Sequence, residues 1–345
     1  MKNANDRSPV AALTLLMALA SCQSAATTAG VPGMLPASSV LRRAGSDASA
    51  GHLYVAIVTA TRRTAIDRFA LRNGIPQAKP DRVFQGSSGY IAVSGHGTLY
   101  ATLGQAPIAV DVFSPDRIRP VRHIRIEPRC GPSSFTVINA IATDKNGYLF
   151  VVIYSYPGAS PENRTPCNGI AVYAPNAKGR AQPVQTIRLA NAAGTNGLAV
   201  DANDNLYVSE NYPSEVDEYS NAIVNPTRTR TFSGQYLGGI RSVATDAAGD
   251  LFIGNAENSY SSAWINRYLP SASGSGPPAN TIDLAGSGPH LLYSIAVRHR
   301  YLYADDSQQF ANPQNVDLYY ARKNGVQSPF YSLQEPKIDS IAVGP

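Results

Sequence analysis

Residues 196–219 read NGLAVDANDNLYVSENYPSEVDEY, three short β signals in a row. The first is Leu198-Ala199-Val200, the second Leu206-Tyr207-Val208, and the third runs from Val216 to Tyr219. The five residues between the first two, Asp201 to Asn205, are all polar or small, the composition of a tight turn. Each signal recurs along the chain. A Leu-aromatic pair stands at Leu53-Tyr54, Leu99-Tyr100, Leu149-Phe150, Leu206-Tyr207, Leu251-Phe252 and Leu302-Tyr303, at spacings of 46, 50, 57, 45 and 51 residues. A branched residue followed by Ala and Val or Thr occurs at Ile91, Ile141, Leu198, Val243, Ile295 and Ile341. The third signal pairs Ile66 with Phe69, Val110 with Phe113, Ile170 with Tyr173, Val216 with Tyr219, Ile265 with Tyr268 and Val316 with Tyr319.

Each unit adds a fourth apolar run, such as Ile124-Arg125-Ile126 or Ile282-Asp283-Leu284. Four short strands in a repeat of roughly fifty residues describe a propeller blade. The expected fold is all-β: a six-bladed β-propeller with four-stranded blades. The Ile-Ala-Val run would be the innermost strand, its Ala fitting the crowded axis. The first blade begins at its second strand, Leu53, and its missing innermost strand is supplied by Ile341-Ala342-Val343 near the C-terminus. The ring is therefore expected to close through the last strand, which removes an open edge.

The 345 residues divide into three parts. Residues 1–22 resemble a bacterial lipoprotein signal peptide, with Lys2 and Arg7 at its start, an apolar run from Val10 to Ala20, and Leu19-Ala20-Ser21-Cys22 at its end. That resemblance implies lipidation of Cys22. Gln23 behind the cysteine implies an exported, lipid-anchored envelope protein, at the outer membrane if the cell has one. Residues 23–50, rich in Ala, Ser, Thr, Gly and Pro, are expected to be a flexible tether. Residues 51–345 hold the repeats. The net charge of +5 comes with scattered Arg residues and no basic stripe, which argues against nucleic acid as a partner. Membrane contact is expected through the lipid only, and the protein is expected to be a monomer. Cys130 and Cys167 fall in connections that leave the same side of a propeller, and an exported protein can keep a disulfide between them.

The residues two places before each Ile-Ala-Val run would rim the central channel: Gly89, Asn139, Asn196, Arg241, Tyr293 and Asp339. The ends of the second strands, with Glu210, Asn211, Asn255, Asp305 and Asp306, are expected at the same mouth. Such a polar funnel is the one place where all blades converge. The plainer reading is that Asn and Asp are strand-end residues bonded to nearby backbone.

The run GLAVDANDNLYVSEN resembles the NHL-repeat consensus, and residues 51–345 resemble the superfamily that includes senescence marker protein/gluconolactonase propellers. That resemblance implies channel calcium held by a Glu, two Asn and an Asp. Asn139 and Asn196 fall where the two Asn would lie, but Arg241 stands where Asp is expected and the Glu position is unmatched. Calcium is thus the only cofactor the resemblance admits, with Asn139 and Asn196 its ligands if it binds. No Gly-x-Ser-x-Gly elbow, phosphate-binding Gly-Lys-Ser/Thr loop or His-Glu-x-x-His helix occurs. Catalytic residues stay unassigned. The leading expectation is a non-enzymatic binding or scaffolding module for a small molecule or an envelope protein, and the alternative is a calcium-dependent lactonase.

Overall fold

A computed structural model of the chain describes residues 51–58, 64–86, 89–103, 108–127, 135–156, 169–189, 194–211, 213–257, 262–284, 290–308 and 313–345. Cys22, Cys130 and Cys167, and with them the leader, the tether and the disulfide, lie outside the described residues.

The first blade holds β1 (Gly51–Val58), β2 (Thr64–Arg72), β3 (Ile75–Pro76) and β4 (Arg82–Gln85), with both β3 and β4 paired to β2. The second is β5 (Ile91–Val93), β6 (Leu99–Thr102), β7 (Ala109–Phe113) and β8 (Arg122–Arg125). The third is β9 (Phe135–Thr143), β10 (Leu149–Tyr156), β11 (Gly169–Tyr173) and β12 (Gln185–Arg188). The fourth is β13 (Leu198–Val200), β14 (Leu206–Asn211), β15 (Ser214–Ser220) and β16 (Thr227–Phe232). The fifth is β17 (Ile240–Thr245), β18 (Leu251–Ala256), β19 (Ala263–Tyr268) and β20 (Asn280–Leu284). In the sixth, β21 (His290–Arg298), β22 (Tyr301–Gln308) and β23 (Gln314–Tyr320) are followed by β24 (Gly325–Gln327), which crosses to pair in parallel with β20, and then by the outer β25 (Tyr331–Glu335). The last strand, β26 (Lys337–Gly344), pairs antiparallel with β1 and completes the first blade. The molecule is a six-bladed β-propeller closed by its C-terminal strand.

Period-two alternation explains why the Leu-aromatic pair recurs. In every blade the Leu faces the seam with the preceding blade and the aromatic faces the seam with the following one. Leu99 packs with Tyr54, Phe84 and Phe113 between the first two blades, whereas Tyr100 packs with Ile141 and Leu149 between the second and third. The six apolar clusters are these six seams.

The expected role of the innermost Ala needs correcting. It is small because it lies directly across from the aromatic on the next strand, in the same seam. Ala92 opposes Tyr100, Ala142 Phe150, Ala199 Tyr207, Ala244 Phe252, Ala296 Tyr303 and Ala342 Tyr54. A small residue beside a ring lets adjacent blades approach near the axis, where they are closest, while the ring fills the widening wedge farther out.

Three of the hairpins joining first and second strands are held by one aspartate each. Asp201 Oδ1 accepts the N–H groups of Asn203 (2.8 Å) and Asn205 (2.9 Å). Asp246 does the same for Ala248 and Asp250, and Asp144 for Tyr148. Such Asx turns fix the register of the two strands nearest the channel.

Candidate functional site: a bulged rim around the channel

Four of the six innermost strands carry a β-bulge, and in each the extra residue is the one at the rim. The pairing jumps from Ala140 to Ile138 past Asn139, from Ser242 to Ile240 past Arg241, from Ser294 to Leu292 past Tyr293, and from Ser340 to Ile338 past Asp339. A bulge leaves one residue out of the ladder and re-aims its side chain.

The second and fourth blades reach the rim differently. Their innermost strands start later, and a hydroxyl on the neighbouring strand satisfies the backbone: Thr102 Oγ1 accepts the Tyr90 N–H (3.0 Å) and Ser209 Oγ the Gly197 N–H (2.7 Å). Gly89 has φ of 116°, and an added Cβ would lie 2.5 Å from Thr102 Oγ1, so glycine is required there.

Gly89, Tyr90, Asn196, Arg241, Tyr293 and Asp339 line one cavity of about 410 Å³. Ligand pockets commonly span about 300–1,000 Å³. Beneath it lies a throat of about 80 Å³ that shares Tyr90, Asn196, Tyr293 and Asp339 and is walled by Ser242, Ser294 and Ser340. These serines bond across the seams. Ser340 Oγ donates to the Gly89 carbonyl (2.7 Å) and accepts the Ile91 N–H (3.1 Å). Ser294 Oγ accepts the Ile341 N–H (3.3 Å), and Ser242 Oγ accepts the Ile295 N–H (3.2 Å).

Among the described residues, the lining carries one guanidinium, Arg241, and one carboxylate, Asp339. Burial pushes the Asp339 carboxyl up, and the Lys337 ammonium, 4.0 Å away, opposes the shift. Tyr90 is pushed up by burial and then by the negative charge of Asp339, which places these two groups within electrostatic reach.

The structure thus gathers Gly89, Asn196, Arg241, Tyr293 and Asp339, while Asn139 sits half-buried on its bulge and is not among the residues facing the cavity. Tyr90 lines the cavity too. Its signal was its place immediately after the rim Gly89. The strand-end residues go elsewhere. Asn255 is fully buried, its Oδ1 accepting the Gly238 N–H (3.1 Å) and its Nδ2 donating to the Ile253 carbonyl (2.9 Å). Asp305 is fully buried between Ser294 and Val316 of the flanking strands. Glu210 is buried opposite Glu215, and burial followed by Asp217 and Glu215 pushes its carboxyl up. The second strand has a partner on each side and a blade above and below, so its end is covered rather than presented to the mouth. Asn211 and Asp306 lie in β14 and β22.

The donor set does not fit the calcium that the resemblance implies. A hard dication needs several oxygen ligands, usually with more than one carboxylate. Among the described residues the lining offers a single carboxylate and sets a guanidinium in the same ring, where like charges repel. Among the described residues no group of three His, Cys, Asp or Glu side chains could hold a metal.

No protein-family profile and no curated protein matches the sequence. Solved structures do match in shape. A structure of a nidogen/laminin complex aligns with a TM-score of 0.54 at 14% identity, over 85% of this chain and 98% of that chain. Candidate 6-phosphogluconolactonases are also similar. The one from Bacteroides fragilis has a TM-score of 0.58 at 11% identity, over 86% of this chain and 99% of that chain. The one from Bacteroides uniformis has a TM-score of 0.54 at 11% identity, over 85% and 99%. At such identities the shared property is the propeller fold alone.

Proposed function

We propose that this protein is a binding module of the cell envelope that holds a small polar ligand with an anionic group in its central funnel. The observation that carries the reading is Arg241, placed by a bulge on the rim of a 410 Å³ cavity whose other lining includes Asn196, Tyr90 and Tyr293. A guanidinium presents a planar fork of donors that matches a carboxylate or phosphate in two parallel hydrogen bonds. An amide and two phenols add directional polar contacts and flat apolar faces. The lipobox-like Leu19-Ala20-Ser21-Cys22 supports anchoring to the envelope, with the tether carrying the propeller off the membrane.

The test is thermal unfolding with gluconate, glucuronate and 6-phosphogluconate at millimolar concentration. A ligand bound to the folded state raises Tm by mass action. At least one of the three should raise it, and Arg241→Ala should abolish that rise. A rise that survives in Arg241→Ala sinks the anion-docking role. The alternative, a lactonase, would show itself as proton release from gluconolactone above the spontaneous rate, lost on substitution of a rim residue.

A further inference from the structure

Among the described residues the funnel carries two opposite charges, and their placement narrows the ligand class. Asp339 stands on the bulge of the first blade and Arg241 on that of the fifth, with Tyr293 of the sixth between them. Both charges line the same cavity. A ligand that is only anionic gains at Arg241 but brings its charge into a partly buried space it must share with a carboxylate, where screening is weak. A site so built favours a ligand that brings both charges over one that brings an anion alone.

We propose that the ligand is a zwitterion, an amino acid or a similar molecule, whose carboxylate docks on Arg241 and whose ammonium docks on Asp339. The proposal rests on the funnel being the binding site. Asn196, in the blade next to that of Arg241, supplies a donor on the carboxylate side. Tyr90, in the blade next to that of Asp339, supplies a ring face on the ammonium side, where a cation is attracted to the π system. The chain already shows what this carboxylate takes: the Lys337 ammonium lies 4.0 Å from Asp339 Oδ1 on a side chain that is 66% exposed. Lys337 therefore stands in for the ligand's ammonium, and its largely exposed stem leaves it room to swing into solvent when the ligand enters. The carboxylate it leaves is held by the bulge and by Ser340, the next residue, whose hydroxyl is bonded to the second blade.

The experiment is calorimetric titration of the purified full-length protein with β-alanine, 4-aminobutyrate and 6-aminohexanoate. Each is matched by the carboxylate without the amine (propionate, butyrate, hexanoate) and by the amine without the carboxylate. The expected result is that one amino acid of the series binds at least tenfold tighter than either of its one-charge counterparts. Asp339→Asn should erase that advantage, so that the amino acid and the carboxylate bind alike. Lys337→Ala, a change at an exposed side chain that leaves folding untouched, should tighten the amino acid severalfold by removing its competitor. Carboxylates that bind through Arg241 as tightly as the amino acids overturn the zwitterion and leave the funnel reading standing. Amino acids that bind tighter, yet equally well to parent, Asp339→Asn and Arg241→Ala, overturn both.

Discussion

The ring divides into two unlike halves. In the fifth, sixth and first blades the rim residue is followed by serine: Arg241-Ser242, Tyr293-Ser294 and Asp339-Ser340. Each of these serines bonds to the innermost strand of the next blade. In the second, third and fourth blades the same position is Tyr90, Ala140 and Gly197, and the hydrogen bonds across their seams lie elsewhere, such as Tyr100 Oη to the Gly147 carbonyl (3.0 Å) and Thr245 Oγ1 to the Val200 carbonyl (3.0 Å). At Gly197 the fit is close, because a Cβ there would come within 2.8 Å of the Val243 backbone nitrogen. The two halves also differ in what they present. Both charged rim residues sit on the serine-bonded half, whereas the other half offers Gly89, Asn139 and Asn196. A binding constellation works only if its side chains are held in place by a supporting layer. Here that layer is a hydroxyl immediately after the Arg241 and Asp339 bulges, locking the backbone that carries each charge.

The largest effect is expected on the half whose rim lacks these serines. Gly197→Ala drives a methyl into backbone that cannot move aside, since Val243 belongs to the next blade's innermost strand. Overpacking of this kind costs about 3 kcal/mol. Denaturant unfolding should show it as a lower midpoint at unchanged slope. Unchanged stability would mean that the fourth and fifth blades separate easily, and the contrast between the halves would collapse.

On the other half the loss is of hydrogen bonds. Ser340→Ala leaves the buried Ile91 N–H and the Gly89 carbonyl without their partner, a cost of about 2 kcal/mol. Ser242→Ala removes one acceptor and should cost about 1 kcal/mol. If the serines support the rim, Ser340→Ala should also weaken ligand binding more than Gly197→Ala does, although it destabilises less. The opposite order would make the serines mere seam closure.

Much of the fold could be read from the chain because the blades are built by alternation, and alternation leaves a mark at every second residue. Leu on one face and an aromatic on the other, six times over, is the seam structure itself. The bulges are different. They add one residue to a strand without altering its composition, so Arg241 and Asp339 were locatable by counting back from Ile-Ala-Val, while the reason they point inward was not visible. The serine after each was visible as a coincidence of R-S, Y-S and D-S, and its meaning lies in a bond to another blade. Asn255 and Asp305 misled for a related reason: a polar residue at a strand end looks alike whether it faces a mouth or caps a neighbouring backbone. Only the register shows that the second strand is covered on both sides.

The smallest expected effect lies at the outer end of the seam between the sixth and first blades. Glu335, the last residue of β25, has its carboxyl pushed up to about 7, by burial first and by Asp67 of the first blade second. The ordinary value is 4.5, so between these two pH values the unfolded chain has released a proton that the folded chain still keeps. The folded state binds more protons there, and stability falls as pH rises from about 4.5 to about 7, then levels off. The serine-bonded half therefore carries a weak point of its own, just before the strand that closes the ring. Glu335→Gln keeps the shape and removes the titration. It should flatten the slope across that window and raise stability at pH 7.5 by about 1 kcal/mol once solvent screening is allowed for. A slope that persists in the variant would assign the pH response to the other carboxyls that burial pushes up, Asp67, Asp144, Glu210, Glu215 and Asp339, and would move it away from this seam's outer end.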